Sequence, residues 1–230
     1  CNKTSLKDFK VAIWSNDELA PVAKEIAQRC EEVGNQLNSV GTTVSFAAKP
    51  EHDFMKAEIN YQLLLQSVMQ SGLPEDEYQK IEKLASSLDK NDLSVDAILA
   101  KGTVLSHRNW IRQNYAREQI KISWSKFFEE WDVLICPQLA TTAIEHDHRK
   151  ISERTVMVDN QEQRYFQQIF WPGLAVNAHL PSTVFPTGLS GDGMPIGLQV
   201  IGGAYEDKTT IKFAELYEEE FKAFVVPNLD

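Results

Sequence analysis

The sequence is poor in every feature that would announce a membrane, a nucleic-acid track or a covalent staple. Its longest apolar runs fall far short of the ~20 residues that a spanning helix needs, and no signal peptide is visible, so no membrane association is expected. Positive charge is scarce. The 23 Lys and Arg stand against 33 Asp and Glu, for a net charge of −10, and no Lys/Arg cluster offers a path for a phosphate backbone. That argues against nucleic acid as a partner. Only three cysteines occur, Cys1, Cys30 and Cys136, and their spacing fits neither a zinc site nor a CxxC motif. Reduced thiols in a cytoplasmic compartment follow. Cys136 ends the apolar run Val133-Leu134-Ile135-Cys136 and is expected as a small buried hydrophobe rather than a nucleophile. A chain of 230 residues can bury roughly 70% of its unfolded surface and needs neither disulfide nor metal to hold a core. No repeat, low-complexity tract or obvious linker interrupts it, so residues 1–230 are expected to form a single α/β unit. The first residue is Cys1 rather than methionine, from which a processed terminus or a longer parent chain is expected.

What is present is patterned. Phe9 to Trp14 reads as a buried strand closed by Ser15-Asn16-Asp17. Leu19, Val22, Ala23, Ile26, Cys30, Val33, Leu37 and Val40 recur at steps of three and four, one stripe of an amphipathic helix that Gly41 stops. Thr42 to Phe46 reads as the next strand, and strand–helix–strand in this span predicts a parallel pair. Residues 52–101 read as helical pieces, one of them opening on Pro74-Glu75-Asp76-Glu77, where acidic residues suit the helix dipole. A long helix is predicted over 106–131, with an aromatic seam of Trp124, Phe127, Phe128 and Trp131. Asp132 to Pro137 is a short apolar strand. Residues 138–164 read as a long excursion or loop, and 165–179 as helix that Pro172-Gly173 must break or kink. Two strands, 182–186 and 196–201, are joined by a Gly-containing hairpin-like turn, and a last helix is lined by Ile211, Ala214, Tyr217, Phe221 and Phe224. The fold class expected is α/β, a mixed sheet flanked by helices.

Residue chemistry alone supports no reaction. His146-Asp147-His148 could bring two imidazoles to one metal, but no third ligand is apparent, so a solvated loop is the expectation. Gly188-Leu189-Ser190-Gly191-Asp192-Gly193 lies between strands and lacks the order of a phosphate cradle. Ser86-Ser87 has Lys83 and Lys90 nearby, yet no glycine-rich loop that would supply oxyanion donors.

One ordered block carries more. Trp171-Pro172-Gly173-Leu174-Ala175, Leu180-Pro181-Ser182-Thr183-Val184-Phe185-Pro186-Thr187-Gly188 and Asp192-Gly193-Met194-Pro195-Ile196-Gly197-Leu198-Gln199-Val200-Ile201-Gly202 together resemble the C-terminal block of the amidase-signature family. Trp131-Asp132-Val133-Leu134-Ile135-Cys136-Pro137 is similar to that family's strand ending in Cys-Pro. His146-Asp147-His148 resembles a loop of one bacterial branch, and Phe9 to Trp14 with Pro21-Val22 resembles the strand that opens the family's second half. The matches run from about residue 5 to 220 in the family's order. Pro181 and Pro186 bracket a strand that therefore belongs at an edge or a bulge, and Gly197 and Gly202 permit close backbone approach.

The resemblance implies a carboxylic-amide hydrolase, cleaving C–N to give an acid and ammonia or an amine, with no cofactor. Family members are about twice this length. Their Ser-Ser-Lys set lies in the N-terminal half, and no Gly-Gly-Ser-Ser-Gly sequence occurs here, so no catalytic residue carries over. The expectation is a C-terminal portion of an amidase domain that supplies scaffold and pocket walls. Its partners would be the N-terminal catalytic half and a small-molecule amide. The substrate-binding candidates are Gln138 and Thr141, just past Pro137 on the C-terminal side of the sheet, and Trp171 as a wall for an apolar acyl group. The alternatives are a non-catalytic half-fold that binds or scaffolds, and the amidase-type subunit of a glutamine-dependent amidotransferase. A sheet cut in two exposes an edge, so self-association or pairing with the other half is expected.

Overall fold

The computed structural model describes residues 2–150 and 153–227; Cys1 lies outside the described residues. They form two compact units, residues 1–51 with 124–230 and residues 52–123. The sequence showed no linker between them, because the second unit is inserted between two strands of the first and its boundary falls inside a continuous helix.

The first unit is built on five strands: β1 (Lys10–Ile13), β2 (Thr43–Ser45), β3 (Val133–Pro137), β6 (Ser182–Leu189) and β7 (Pro195–Gly202). They lie in one sheet in the order β2-β1-β3-β7-β6. β1 pairs in parallel with β2, Val11 opposite Val44, and with β3, Ala12 opposite Leu134. β7 runs antiparallel to β3, Ile135 opposite Val200, and to β6, Phe185 opposite Leu198. The expected mixed sheet is therefore present, with β6 on its edge as its prolines require.

Period-two alternation sorts the strands onto two faces. Val11, Ile13, Val133, Ile135, Phe185, Leu198 and Val200 turn to one side. They meet Cys30, Val33 and Leu37 of α1 (Lys24–Ser39) and Phe213, Leu216 and Tyr217 of α7 (Asp207–Phe221). Phe213 meets Phe9 and Phe185 edge-on at 5.3 and 5.7 Å, and the Tyr217 hydroxyl donates to Gln36 Oε1 at 2.7 Å. The last helix ends before Phe224, and both Phe224 and Ile211 are exposed. Gly202 shows why close approach matters: a Cβ there would stand 2.8 Å from Thr210 Cγ2.

On the opposite face α6 (Phe170–Ala178) lies over β3 and β7, where the Gln199 amide meets the Trp171 carbonyl. α6 is apolar except for Asn177 and buried except at Pro172 and Val176. Pro172 does not break it: the residue sits in the first turn, where its missing N–H has no intrahelical partner to lose. The stretch expected as loop holds a hairpin, β4 (Thr155–Val158) and β5 (Gln161–Arg164), which buries Val156 and Val158.

The second unit is helical: α2 (Phe54–Met69), α3 (Glu75–Ser87), α4 (Val95–Thr103) and the first part of α5 (His107–Glu130). It buries Ala57 and Leu64 of α2 against Ala97, Ile98 and Ala100 of α4, with Gly102 of α4 set so close to α2 that a Cβ would stand 2.8 Å from Gln66 Cβ. His52 Nδ1 and Ser123 Oγ, on the first and last residues of this unit, are 3.0 Å apart. Among the described residues, no helix is long and apolar enough to cross a membrane.

Candidate functional site

The carboxyl ends of the parallel strands β1 and β3 open into two irregular segments, 14–23 and 138–150, and this is the end of an α/β sheet at which ligands bind. The first segment turns on its own polar side chains. Asp17 Oδ1 accepts the Leu19 N–H at 3.1 Å and Asn16 Oδ1 the Val22 N–H at 3.0 Å. Short acceptors of this kind compete with helix formation, so α1 starts at Lys24 rather than at Leu19.

The rest of this loop is bonded from behind. The Leu19 carbonyl accepts from Gln167 Nε2 at 3.0 Å, the Ala20 carbonyl from Trp171 Nε1 at 3.1 Å and the Pro21 carbonyl from Gln163 Nε2 at 3.0 Å. The Ala23 N–H reaches the Ala140 carbonyl at 2.8 Å, which joins the two loops. Asp159, held in the left-handed region at φ 52°, accepts the Lys24 N–H at 3.2 Å and caps α1 across 135 residues of sequence. On its outer side the loop lines an open groove of about 490 Å³ with Asn16, Asp17, Glu18, Leu19, Pro21 and Lys49. The Lys49 ammonium sits 3.6 Å from Asp17 Oδ2 and 4.3 Å above the Trp14 ring.

A second network fixes the end of β3. Gln199 is buried in an otherwise apolar strand, and its Nε2 lies 2.7 Å from the Trp171 carbonyl, 3.1 Å from the Pro137 carbonyl and 3.2 Å from Cys136 Sγ. Its Oε1 accepts from Ser182 Oγ at 3.1 Å. One amide thus ties β3, α6, β6 and β7 together. Burial pushes the Cys136 thiol up, so it stays protonated and is no nucleophile.

Of the candidates drawn from sequence, Gln138 and Thr141 are half-buried just beyond β3, on the rim next to Ala140. Trp171 is fully buried, its indole edge-on to Trp14 at 5.4 Å. His146 and His148 are exposed in the loop. Asp147 between them is taken by Arg149, whose guanidinium at 2.7 Å holds the carboxyl down at about 2. Among the described residues no group of three His, Cys, Asp or Glu side chains could hold a metal. Asn16, Gln163, Gln167 and Gln199 were not singled out from sequence. The available signal for the last was a lone amide inside Ile196-Gly197-Leu198-Gln199-Val200-Ile201, since a polar residue buried in an apolar strand needs partners.

Comparison with known proteins gives this geometry a setting. Residues 1–211 match the family model described as Amidase. The chain is 24% identical over 231 residues to the A subunit of glutamyl-tRNA(Gln) amidotransferase of Thermodesulfovibrio yellowstonii, covering 93% of this chain and 45% of that protein. It is 34% identical over 111 residues to the protein of the same name from Thermosynechococcus vestitus, covering 48% of this chain and 21% of that protein. Among solved structures, the Thermotoga maritima protein of that name aligns with a TM-score of 0.66 at 17% identity, over 98% of this chain and 46% of that one. A bacterial aryl acylamidase of the amidase-signature family aligns with a TM-score of 0.64 at 18% identity, over 92% of this chain and 43% of that one. The fold is shared, and the chain spans at most about half the length of these relatives.

Proposed function

The chain belongs to the amidase family, and from that premise we propose that it is the scaffold-and-pocket portion of a carboxylic-amide hydrolase. A serine adds to the carbonyl and gives up its proton, the C–N bond breaks as that proton goes to the departing amine or ammonia, and water then cleaves the acyl-serine ester to release the acid and restore the serine. The attacking serine, its relay serine and its lysine base come from a segment outside these residues, the N-terminal catalytic half. The observation that carries this reading is the match itself: residues 1–211 fit one family, and the chain covers 45% of a relative's length. The carbonyl-bonded loop 16–24 and the Gln199 network are the parts that hold pocket walls in place. Gln138 and Thr141 face the substrate on the rim, and Trp171 acts from behind the wall.

The test is to assay the chain with simple aliphatic and aryl amides. No turnover is expected from the chain alone, and hydrolysis is expected once a polypeptide carrying the Ser-Ser-Lys set is supplied. A serine of this chain labelled covalently by a fluorophosphonate, with amide cleavage lost on its substitution, would overturn the assignment. A second reading is favoured by the names of the curated relatives, which are glutamyl-tRNA(Gln) amidotransferase components. In it the amide cleaved is that of glutamine, and the ammonia passes to a second substrate on a partner protein. Ammonia release from glutamine, but not from aryl amides, by the completed protein would select it.

A further inference from the structure

Residues 16–23 make an irregular loop, continued by Lys24 at the start of α1, whose backbone is nearly saturated. The N–H groups of Leu19, Ala20, Val22, Ala23 and Lys24 all have acceptors, and the carbonyls of Leu19, Ala20, Pro21 and Ala23 all have donors. Three of those donors, Gln163, Gln167 and Trp171, are spaced four residues apart and take three successive carbonyls. The loop has two sides: Ala20 and Val22 are buried, whereas Asn16 and Glu18 are exposed toward the groove. Water would satisfy the carbonyls of an ordinary surface connection. Fixing two glutamine side chains for the purpose costs rotamer freedom and yields a single backbone conformation instead.

We propose that Gln163, Gln167 and Trp171 are positioning residues, which clamp residues 16–24 in one conformation as the wall of the amide-binding site. The proposal rests on the functional reading above. None of the three touches ligand. They act through the loop, as supporting residues do when they lock the groups that face a substrate. Trp171 also fills the core, so the half-buried glutamines carry the test.

Amide hydrogen exchange is measured on the full chain, on Gln163→Leu, on Gln167→Leu and on the double variant. Gln36→Leu serves as a control that removes one side-chain hydrogen bond of the same unit, the one to Tyr217, away from the loop. Benzamide is titrated in parallel and followed by the amide shifts of residues 16–24 and 138–141. Each clamp variant is expected to speed exchange at Leu19 to Lys24 about fivefold to tenfold, as the loss of one hydrogen bond implies. Exchange in β1 and β3 stays unchanged, and benzamide binds the double variant at least fivefold more weakly. The control leaves both readouts as they were. Loop exchange that rises no more in the clamp variants than in Gln36→Leu overturns the proposal. If loop exchange rises as expected but benzamide shifts no resonance of the unsubstituted chain, the clamp stands and the amide-binding reading of this edge falls.

Discussion

Replacing Gln199 tests whether one buried amide joins the two layers of the α/β unit. Gln199→Met keeps the length and approximate volume of the side chain and removes both polar ends. Three bonds to oxygen are lost, to the Trp171 and Pro137 carbonyls and from Ser182 Oγ. At about 1 kcal/mol net for each, the loss is about 3 kcal/mol. The thioether returns part of that by hydrophobic burial, and the buried carbonyls left without this donor add desolvation cost, so about 2–4 kcal/mol is expected. Urea denaturation followed by tryptophan fluorescence reads the right unit, because Trp14, Trp124, Trp131 and Trp171 lie in it and only Trp110 lies outside. Gln199→Glu adds a sign. A carboxylate facing two carbonyl oxygens in the interior has its pKa raised above the unfolded value near 4.3. Its stability is therefore retained at low pH and lost as pH rises through the folded pKa, so this variant is weaker at pH 7 than at pH 5 relative to the parent. A Met variant within 1 kcal/mol of the parent, or a Glu variant indifferent to pH, would refute the role assigned to this amide.

Other consequences can be measured directly. Gly202→Val should destabilise by about 1–3 kcal/mol in the same urea series, because its Cβ meets Thr210 Cγ2 at 2.8 Å, while Gly72→Ala in the helical unit, with open space around it, should be neutral or stabilising by up to about 1 kcal/mol in urea denaturation followed by helical circular dichroism. His52 is held neutral by burial, with its pKa lowered from 6.5 to about 4. The unfolded chain therefore binds a proton that the folded chain refuses, and stability falls as pH drops from 6.5 to 4. His52→Gln should flatten that slope by as much as one proton, read from urea midpoints across the interval. The β6 edge carries no charged residue, and Val184 is 55% exposed on it, so the isolated chain should self-associate at micromolar concentration in sedimentation velocity. Val184→Lys should shift it toward monomer, and a parent that stays monomeric at every concentration removes the edge argument.

The sheet was legible from sequence because its strands are apolar runs with terminators in place. Val133 to Pro137 is wholly buried and ends at its proline, and the helix expected over 106–131 spans His107–Glu130. The β4–β5 hairpin was not seen. Its second strand, Gln161-Glu162-Gln163-Arg164, has no apolar alternation, and only Val156 and Val158 mark the first. α1 starts later than its apolar stripe implies for a related reason. The apolar stripe runs back through Val22 to Leu19, while Asn16 and Asp17 take the backbone N–H groups that would have continued the helix.

The site was less legible than the fold because its determinants are bonds between side chains and distant carbonyls. Periodicity reports burial, and burial alone made Trp171 a plausible pocket wall; it says nothing of an indole N–H directed 151 residues back to the Ala20 carbonyl. The same holds for Gln163 on Pro21 and Asp159 on Lys24. Polar residues in a stretch without pattern read as solvated loop, yet here they satisfy the backbone of another loop. The rule that buried polar groups must be paired supplies the missing inference. An irregular segment at the carboxyl end of a parallel pair carries carbonyls that need donors, and the nearest polar stretch without apolar periodicity in its sequence is where to look for them. In this chain that stretch is 153–169. Gln163 and Gln167 are only half-buried there, so their loss should loosen the wall well before it unfolds the sheet.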